Sequence, residues 1–278
     1  MSTIKLLGTG CPSPSSSRFG PSTLFVHDGK NYLFDCGSGV TQRLNAAGVK
    51  SSDIEILFIT HLHSDHVRDR YQLYISGWHQ GRDKKFKIIG PKGTKEFFYN
   101  LLNAFDEELQ GRIKWEQRPN NNGLEFEVIE IDASFKFKHF DLEVNPFEVD
   151  HYPVEPAFGY QIKFLDTGQE KKVVISGDTR KSENLIEHSL DADALVHEVF
   201  VSLEFDEKRM SKETILNVSD YHTSPKEIGE IANIAKVKKL ILTHFVPPIF
   251  DENELIANIA ESYNGQIIIG EDLMSIEI

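Results

Sequence analysis

The sequence has few of the features expected of a secreted or membrane protein. It contains two cysteines among 278 residues, Cys11 and Cys36, which is too few for a disulfide framework. Its start shows no basic segment followed by an apolar core, and it has no apolar run long enough to cross a bilayer. These absences predict a soluble cytoplasmic protein, with no membrane partner, in which both cysteines are reduced and buried.

The sequence is also short of positive charge. Its 30 Lys and Arg residues face 43 Asp and Glu residues, which gives a formal net charge of -13 at pH 7. A chain of this sign repels a long polyanion unless a local basic patch overrides the average. The charge balance therefore argues against nucleic acid as a partner.

The pattern of apolar residues alternates between strand and helix in the first and last thirds of the chain. Ile54 to Thr60 and Lys239 to Thr243 are apolar runs typical of buried strands, whereas residues 124–175 are rich in antiparallel strand. This order predicts an α/β fold, a sandwich of two mixed β-sheets flanked by helices, in a single domain over residues 1–278. Residues 202–221 mix charges with scattered apolar side chains, and we predict that they form a surface cap or lid.

Turn residues mark the connections between the predicted strands. Asp28-Gly29 is typical of a hairpin turn near the start of the chain. Within the strand-rich segment, Asn145-Pro146 and Thr167-Gly168 predict two further turns.

Four residues able to bind metal lie within six positions after the first buried strand. The run reads Thr60-His61-Leu62-His63-Ser64-Asp65-His66. His61 and His63 are two residues apart on an extended segment, so both point to one side and can bind one ion. Asp65 and His66 fall at the turn into the next helix, where both can reach a second ion. Packing alone does not explain this cluster, because crowded imidazoles and carboxylates cost desolvation energy.

This run is the His-x-His-x-Asp-His signature, and by it the sequence is identified as a member of the metallo-β-lactamase superfamily. The resemblance implies the αββα sandwich of that superfamily and one further metal ligand at each of three later strand ends, His151, Asp178 and His244. His151 would complete the ligands of the first ion, and Asp178 would bridge the two ions. His244 would join Asp65 and His66 on the second ion.

Further motifs resemble the ribonuclease Z group and its arylsulfatase-like and cyclic-nucleotide phosphodiesterase relatives. They are Leu7-Gly8-Thr9-Gly10, Leu33-Phe34-Asp35-Cys36-Gly37, His197-Glu198 and His222-Thr223. The resemblance implies that Asp35 supports the histidine ligands and that His222, oriented by Glu198, protonates the leaving oxygen. Each residue also has a structural interpretation: Asp35 as a turn former, Glu198 as a solvated strand end and His222 as a residue before a helix.

The same resemblance implies a mechanism and a cofactor. A hydroxide bound to two metal ions, held in position by Asp65 and Asp178, would attack the substrate, and His222 would act as general acid. The ligand types favour two Zn²⁺ per chain, although Mn²⁺ and Fe²⁺ accept the same ligands. A homodimer is expected from the relatives alone, since no sequence feature marks an interface.

The sequence leaves three substrate classes open. One is tRNA, the substrate in ribonuclease Z processing of 3′ ends, but some of those enzymes carry a long arm between the positions matching His151 and Asp178. Here that interval holds a strand pair with the Thr167-Gly168 turn. The missing arm and the acidic composition favour a small anionic ester, namely a phosphodiester like a cyclic nucleotide. A sulfate ester, the substrate of arylsulfatase-like enzymes, presents the same tetrahedral centre and is the alternative.

Overall fold

The structure, a computed structural model, describes residues 2–201 and 210–278. The strands in these ranges are β1 (Ser2–Gly8), β2 (Ser22–His27), β3 (Lys30–Phe34), β4 (Ile54–Phe58), β5 (Phe86–Gly90), β6 (Phe126–Glu130), β7 (Phe137–His139), β8 (Leu142–Glu148), β9 (Phe158–Asp166), β10 (Gln169–Ile175), β11 (Ala194–Phe200), β12 (Lys239–Val246), β13 (Gln266–Ile269) and β14 (Ser275–Glu277). The helices in the same ranges are α1 (Val40–Ala46), α2 (Ser64–Val67), α3 (Arg70–His79), α4 (Thr94–Ala104), α5 (Asp106–Glu116), α6 (Glu183–Ser189), α7 (Lys212–Asp220), α8 (Pro225–Ile234) and α9 (Glu252–Ala260).

The strands form two mixed sheets. The first has the order β14-β1-β2-β3-β4-β5-β6, antiparallel from β14 to β3 and parallel from β3 to β6. The second has the order β13-β12-β11-β10-β9-β8-β7, parallel from β13 to β10 and antiparallel from β10 to β7. The predicted fold class, two mixed sheets flanked by helices, is confirmed.

Apolar side chains fill the space between the sheets and beneath the helices. Phe34 and Phe58 of the first sheet each lie with their ring centroid 5.4 Å from that of Tyr160 in the second sheet. On the outer faces, α1, α3 and α4 pack on the first sheet, and α6, α8 and α9 pack on the second. Burial of apolar surface on both faces makes the sheets a firm support for the loops at their edges.

The strand topology brings distant parts of the chain to one edge of the sandwich. Strands β10, β11 and β12 are parallel neighbours, so the residues at their carboxyl ends lie side by side. Strand β4, which is buried, ends just before the Thr60–His66 run. Loops that follow such strand ends are where functional residues collect, because the scaffold holds them and they need not pack in the core.

The predicted cap over residues 202–221 lies partly outside the described residues, because 202–209 are not described. Its described part contains the regular helix α7, which packs through Ile215 in a cluster with Cys11 and Val246. This helix was not predicted. None of the helices in the described ranges combines the length and apolar character needed to cross a membrane.

Candidate metal centre and active site

The four side chains predicted to bind the first ion lie together. Nε2 of His61 and Nε2 of His151 are 3.8 and 3.9 Å from Oδ2 of Asp178. Nδ1 of His63 is 3.2 Å from Nε2 of His151. The ligand atoms of all four residues lie within 4.8 Å of one another.

The side chains predicted for the second ion form a neighbouring group. Nε2 of His66 is 3.6 Å from Oδ2 of Asp65 and 3.3 Å from Oδ2 of Asp178. Nε2 of His244 is 3.2 Å from Oδ2 of Asp65 and 3.4 Å from Oδ2 of Asp178. Asp178 therefore lies between the two groups, which is the position that a bridging carboxylate needs.

Several atoms of these groups are buried without a protein partner. Among the described residues, Nε2 of His61, Nε2 of His66 and Oδ1 of Asp178 make no hydrogen bond. A buried polar atom left unpaired costs about 1–3 kcal/mol. Imidazole nitrogens and carboxylate oxygens are ligands that zinc, manganese and iron accept. The donor set thus fits divalent metal ions.

Asp35 supports the ligand His66 through a hydrogen-bonded carboxylate. Its Oδ1 accepts a hydrogen bond from the Thr60 N–H at 2.9 Å, and its Oδ2 accepts one from Thr60 Oγ1 at 2.8 Å. Oδ2 also lies 2.8 Å from Nδ1 of His66. A hydrogen bond at Nδ1 fixes the tautomer of the imidazole and leaves Nε2 free to bind an ion.

Burial and neighbouring charges set the protonation of the histidines. Burial lowers the pKa of His61 well below its ordinary value and is also the main reason that the pKa values of His63 and His151 are lowered. The lowered pKa values favour the neutral ring, which is the form that binds metal. Burial has the same effect on His66, but the surrounding carboxylates, Asp178 first among them, outweigh it and raise the pKa of His66 well above its ordinary value.

His222 and Glu198 form a buried pair beside the ligand groups. Nδ1 of His222 is 3.0 Å from Oε1 of Glu198, which also accepts the N–H groups of Thr179 and Thr223 at 3.2 Å each. Glu198 is therefore not a solvated strand end. Burial disfavours the charged form of His222, but Glu198 outweighs this effect and raises the pKa of His222. The His222 ring centroid lies 5.4 Å from that of His151.

A cavity of about 260 Å³ opens over this centre. Asp65, Asp178 and His222 contribute to its polar wall, and Tyr221 and Val246 contribute to its apolar wall. A substrate group in this cavity would contact the metal ligands and His222 at the same time. Sequence reasoning did not find the apolar wall, since Val246 and Tyr221 carry no motif of their own.

Two supporting contacts also lacked a sequence signal. The backbone carbonyl of Tyr221 lies 2.9 Å from Nδ1 of His151, and Thr60 Oγ1 lies 3.0 Å from Nδ1 of His61. The fold brings the Tyr221 carbonyl to His151, whereas Thr60 and His61 are neighbours in the sequence. His197, part of the His197-Glu198 motif, belongs to neither ligand group, and its Nδ1 lies 2.6 Å from the Glu198 carbonyl oxygen.

Comparison with known proteins defines the family. The family model described as Anti-Pycsar protein Apyc1 matches residues 2–245. Ribonuclease Z of Mycobacterium sp. (strain KMS) is 35% identical over 284 residues, and the match covers 100% of this chain and 96% of the relative. The chain therefore belongs to the metallo-β-lactamase superfamily of hydrolases, in the branch that includes ribonuclease Z. Ribonuclease Z of Mycobacterium bovis (strain BCG / Pasteur 1173P2), another member, is 34% identical over 286 residues, with 100% and 99% covered.

Solved structures share the family fold. The metallo-β-lactamase fold protein YhfI from Bacillus subtilis superposes with a TM-score of 0.74 at 19% identity, covering 99% of this chain and 98% of YhfI. Human tRNase Z, short form (ELAC1), gives a TM-score of 0.72 at 23% identity, covering 99% of both chains. The predicted superfamily, the ribonuclease Z branch and the enzyme class of metal-dependent hydrolase are confirmed. The homodimer and the cytoplasmic location stay predictions.

The prediction that argued against nucleic acid as a partner is wrong. The relatives that match over the whole chain are ribonucleases by name. Net charge is an average over 278 residues and does not describe the potential in one cleft. Bound metal ions would also add positive charge at the place where a phosphate would bind.

Proposed function

We propose that this family member is a metal-dependent phosphodiesterase that cleaves RNA, with processing of tRNA 3′ ends as its specific reaction. The relatives named ribonuclease Z, which match the full chain, support the substrate class. The observation that carries the reaction type is the buried His222–Glu198 pair, whose His222 borders the same cavity as residues of both ligand groups. Cleavage of RNA releases a nucleoside alkoxide, a poor leaving group that needs a proton donor.

The ligand groups would hold two divalent ions, for which zinc is the choice that the ligand types favour. His61, His63, His151 and Asp178 would hold one ion, and Asp65, His66, His244 and Asp178 would hold the other. When bound, such ions stabilise charge that develops on a phosphoryl group and acidify water at neutral pH.

The protein's own side chains would handle the protons. Glu198 binds Nδ1 of His222, so Nε2 is the nitrogen left to donate to the leaving oxygen. The carboxylate also stabilises the protonated ring, which a general acid must be before it acts. Asp65, whose Oδ2 lies 3.2 Å from Nε2 of His244, belongs to the ligand group of the second ion and would orient the attacking water.

The test compares two substrates with different leaving groups, precursor tRNA and bis-p-nitrophenyl phosphate, on the metal-loaded protein. Asp65→Ala should abolish cleavage of both, because it removes a metal ligand. His222→Ala should slow RNA cleavage by about 10²–10⁴-fold and slow the nitrophenyl ester much less, because nitrophenolate leaves without protonation. His79→Ala, a surface histidine on α3, is the matched control and should change neither rate.

Two outcomes would overturn this proposal. One is a metal-loaded protein that cleaves neither substrate. The other is an equal loss of both activities in His222→Ala together with a loss of bound metal, since His222 would then act as a ligand. Metal content is measured on each variant for this reason.

A second candidate is a small phosphodiester such as a cyclic nucleotide. The turn between β9 and β10 has two residues, Thr167 at φ 50° and Gly168 at φ 82°, and it leaves no arm in this interval. The cavity of about 260 Å³ is also below the range of roughly 300–1,000 Å³ usual for drug-sized ligands. A higher kcat/KM on cyclic nucleotides than on precursor tRNA would favour this candidate, and the reverse would favour RNA.

A further inference from the structure

A second cavity adjoins the catalytic cavity. It has a volume of about 390 Å³ and runs between the loop after β1 and helix α2. Five residues line both cavities, so the two cavities are adjacent: Cys11, Pro12, Ser13, Ser64 and Asp65. We call this second cavity the arginine cleft, because Arg18 and Arg68 line it beyond the shared residues.

Arg68 is positioned beside the metal centre by helical spacing. It directly follows α2 with helical backbone angles, three residues after Asp65 and four after Ser64, so all three lie on one helical face. Arg68 is exposed, and within the described ranges it makes no hydrogen bond or ion pair to another side chain. Its guanidinium is therefore available to an external anion.

Arg18 supplies a second, fixed positive charge. Its Nη1 donates to Thr9 Oγ1 at 2.8 Å and to the Gly270 carbonyl at 2.7 Å. Its guanidinium carbon also lies 4.2 Å from the centroid of the Phe245 ring. Because these contacts hold Arg18 in place, binding an anion nearby costs little additional side-chain entropy.

The remaining polar groups of the arginine cleft suit a phosphate. The hydroxyls of Ser13, Ser15 and Ser38 line it and can donate hydrogen bonds. Asp65 is the carboxylate in its lining, and its Oδ2 is 3.2 Å from Nε2 of His244, on the side of the metal centre. Guanidinium and hydroxyl groups together are the usual ligands of phosphate oxygens.

We propose that the arginine cleft binds a second phosphate of the substrate, next to the phosphate that is cleaved, and that Arg68 is its main contact. The proposal rests on the proposed function, since it assigns a place to the phosphate that neighbours the scissile bond. That phosphate would be either the next phosphodiester of an RNA chain or the second phosphate of a diphosphate. Both present the same charged oxygens to Arg68.

The test measures binding by calorimetry on the metal-loaded protein with three ligands, each of which is checked to be intact after the titration. Uridine monophosphate has one phosphate, uridine 3′,5′-bisphosphate places a second one as in RNA, and uridine diphosphate places it as in a diphosphate. The wild type should bind one of the two-phosphate ligands roughly 10-fold or more tightly than the monophosphate, the worth of a charge-assisted hydrogen bond. Which of the two binds more tightly identifies the source of the phosphate.

Variants at Arg68 decide whether this side chain is responsible. In Arg68→Ala the affinity ratio should fall below about 3-fold, and Arg68→Lys should retain part of it because the charge is kept. Arg112→Ala, which removes an exposed arginine of α5 outside the cleft, should keep the wild-type ratio. The wild-type ratio should also shrink as salt is raised.

The proposal is overturned if the three ligands bind the wild type equally, or if Arg68→Ala keeps the full ratio. Hydrolysis of bis-p-nitrophenyl phosphate by the same wild-type preparation reports separately on the proposed function. A preparation that does not hydrolyse the ester but shows the Arg68-dependent ratio would refute the reaction and leave the phosphate site standing. A preparation that hydrolyses the ester but binds all three ligands with equal affinity would refute the phosphate site and leave the reaction standing.

Discussion

Replacing Asp35 by asparagine should weaken metal binding without unfolding the protein. Asp35 is buried and accepts hydrogen bonds from the backbone and hydroxyl of Thr60 and from Nδ1 of His66. Asparagine has nearly the same shape and tolerates the left-handed backbone of this position, where φ is 61°. It has no charge, however, and only its amide oxygen accepts hydrogen bonds.

The size of the effect follows from those contacts. The two carboxylate oxygens of Asp35 accept hydrogen bonds from three donors. In Asp35→Asn one of these oxygens becomes an N–H₂ group, so at least one donor of Thr60 or His66 loses its acceptor. An unpaired buried donor costs about 1–3 kcal/mol. Loss of a carboxylate behind a metal-binding histidine lowers metal affinity by about 10–100-fold, which corresponds to about 1.4–2.8 kcal/mol. We therefore expect zinc affinity to fall by that factor for the ion bound through His66.

The assay is competition with a chelator of known zinc affinity, together with thermal melts of the metal-free proteins. Asp191→Asn is the matched control, because Asp191 also has a positive φ of 55° but is exposed and belongs to none of the candidate metal groups. That control should bind zinc like the wild type. If Asp35→Asn also binds zinc like the wild type while its metal-free form melts normally, the supporting role assigned to Asp35 is wrong.

Three further predictions concern metal, backbone and charge. Chelation should lower the Tm, and free zinc at about 1,000 times its Kd should restore about 4 kcal/mol of stability. Gly177→Ala should cost about 1–3 kcal/mol in denaturant melts, because φ is 62° and the added Cβ would lie 2.9 Å from the Phe158 carbonyl oxygen. Asp193 accepts hydrogen bonds at 2.9 Å from the Lys172 N–H and from Lys238 Nζ, and although burial raises its pKa, these contacts lower it overall. Because the pKa of Asp193 is lower in the folded state than in the unfolded state, the ionised carboxylate stabilises the fold at any pH above the unfolded pKa. This stability is lost as the pH falls through the folded pKa. Asp193→Asn should therefore cost about 1 kcal/mol of unfolding free energy at neutral pH and less in acid.

The residues of the ligand groups could be predicted because each has a local signal. The His-x-His-x-Asp-His run places four donors on one strand end and the turn after it. Asp178 and His244 each follow an apolar run that reads as a buried strand. The ends of neighbouring parallel strands meet at one edge of a sheet, so these positions converge in the structure.

Features that depend on which strands are neighbours could not be predicted in this way. Asn145-Pro146 was predicted as a turn but lies inside β8, and that prediction is wrong. The pairing of β7 with β8 stops at Val144, so Pro146 lies where β8 has no β7 partner and its missing N–H disrupts no pairing there. The turn is instead at Phe140-Asp141, where Phe140 has a φ of 57° that a bulky side chain rarely adopts.

The wrong prediction about nucleic acid has a related cause, because composition does not show which charged groups the fold brings together. The net charge of -13 is a property of the whole chain and not of the cleft that would bind a substrate. In physiological salt, charges are screened beyond about 8 Å, so a bound phosphate responds to the groups around it and not to the total. At this centre the carboxylates of Asp65 and Asp178 face histidines, whereas Arg18 and Arg68 line the adjoining cleft. An acidic chain can therefore present a cationic site, and its composition does not decide whether the substrate is a nucleotide or a polymer.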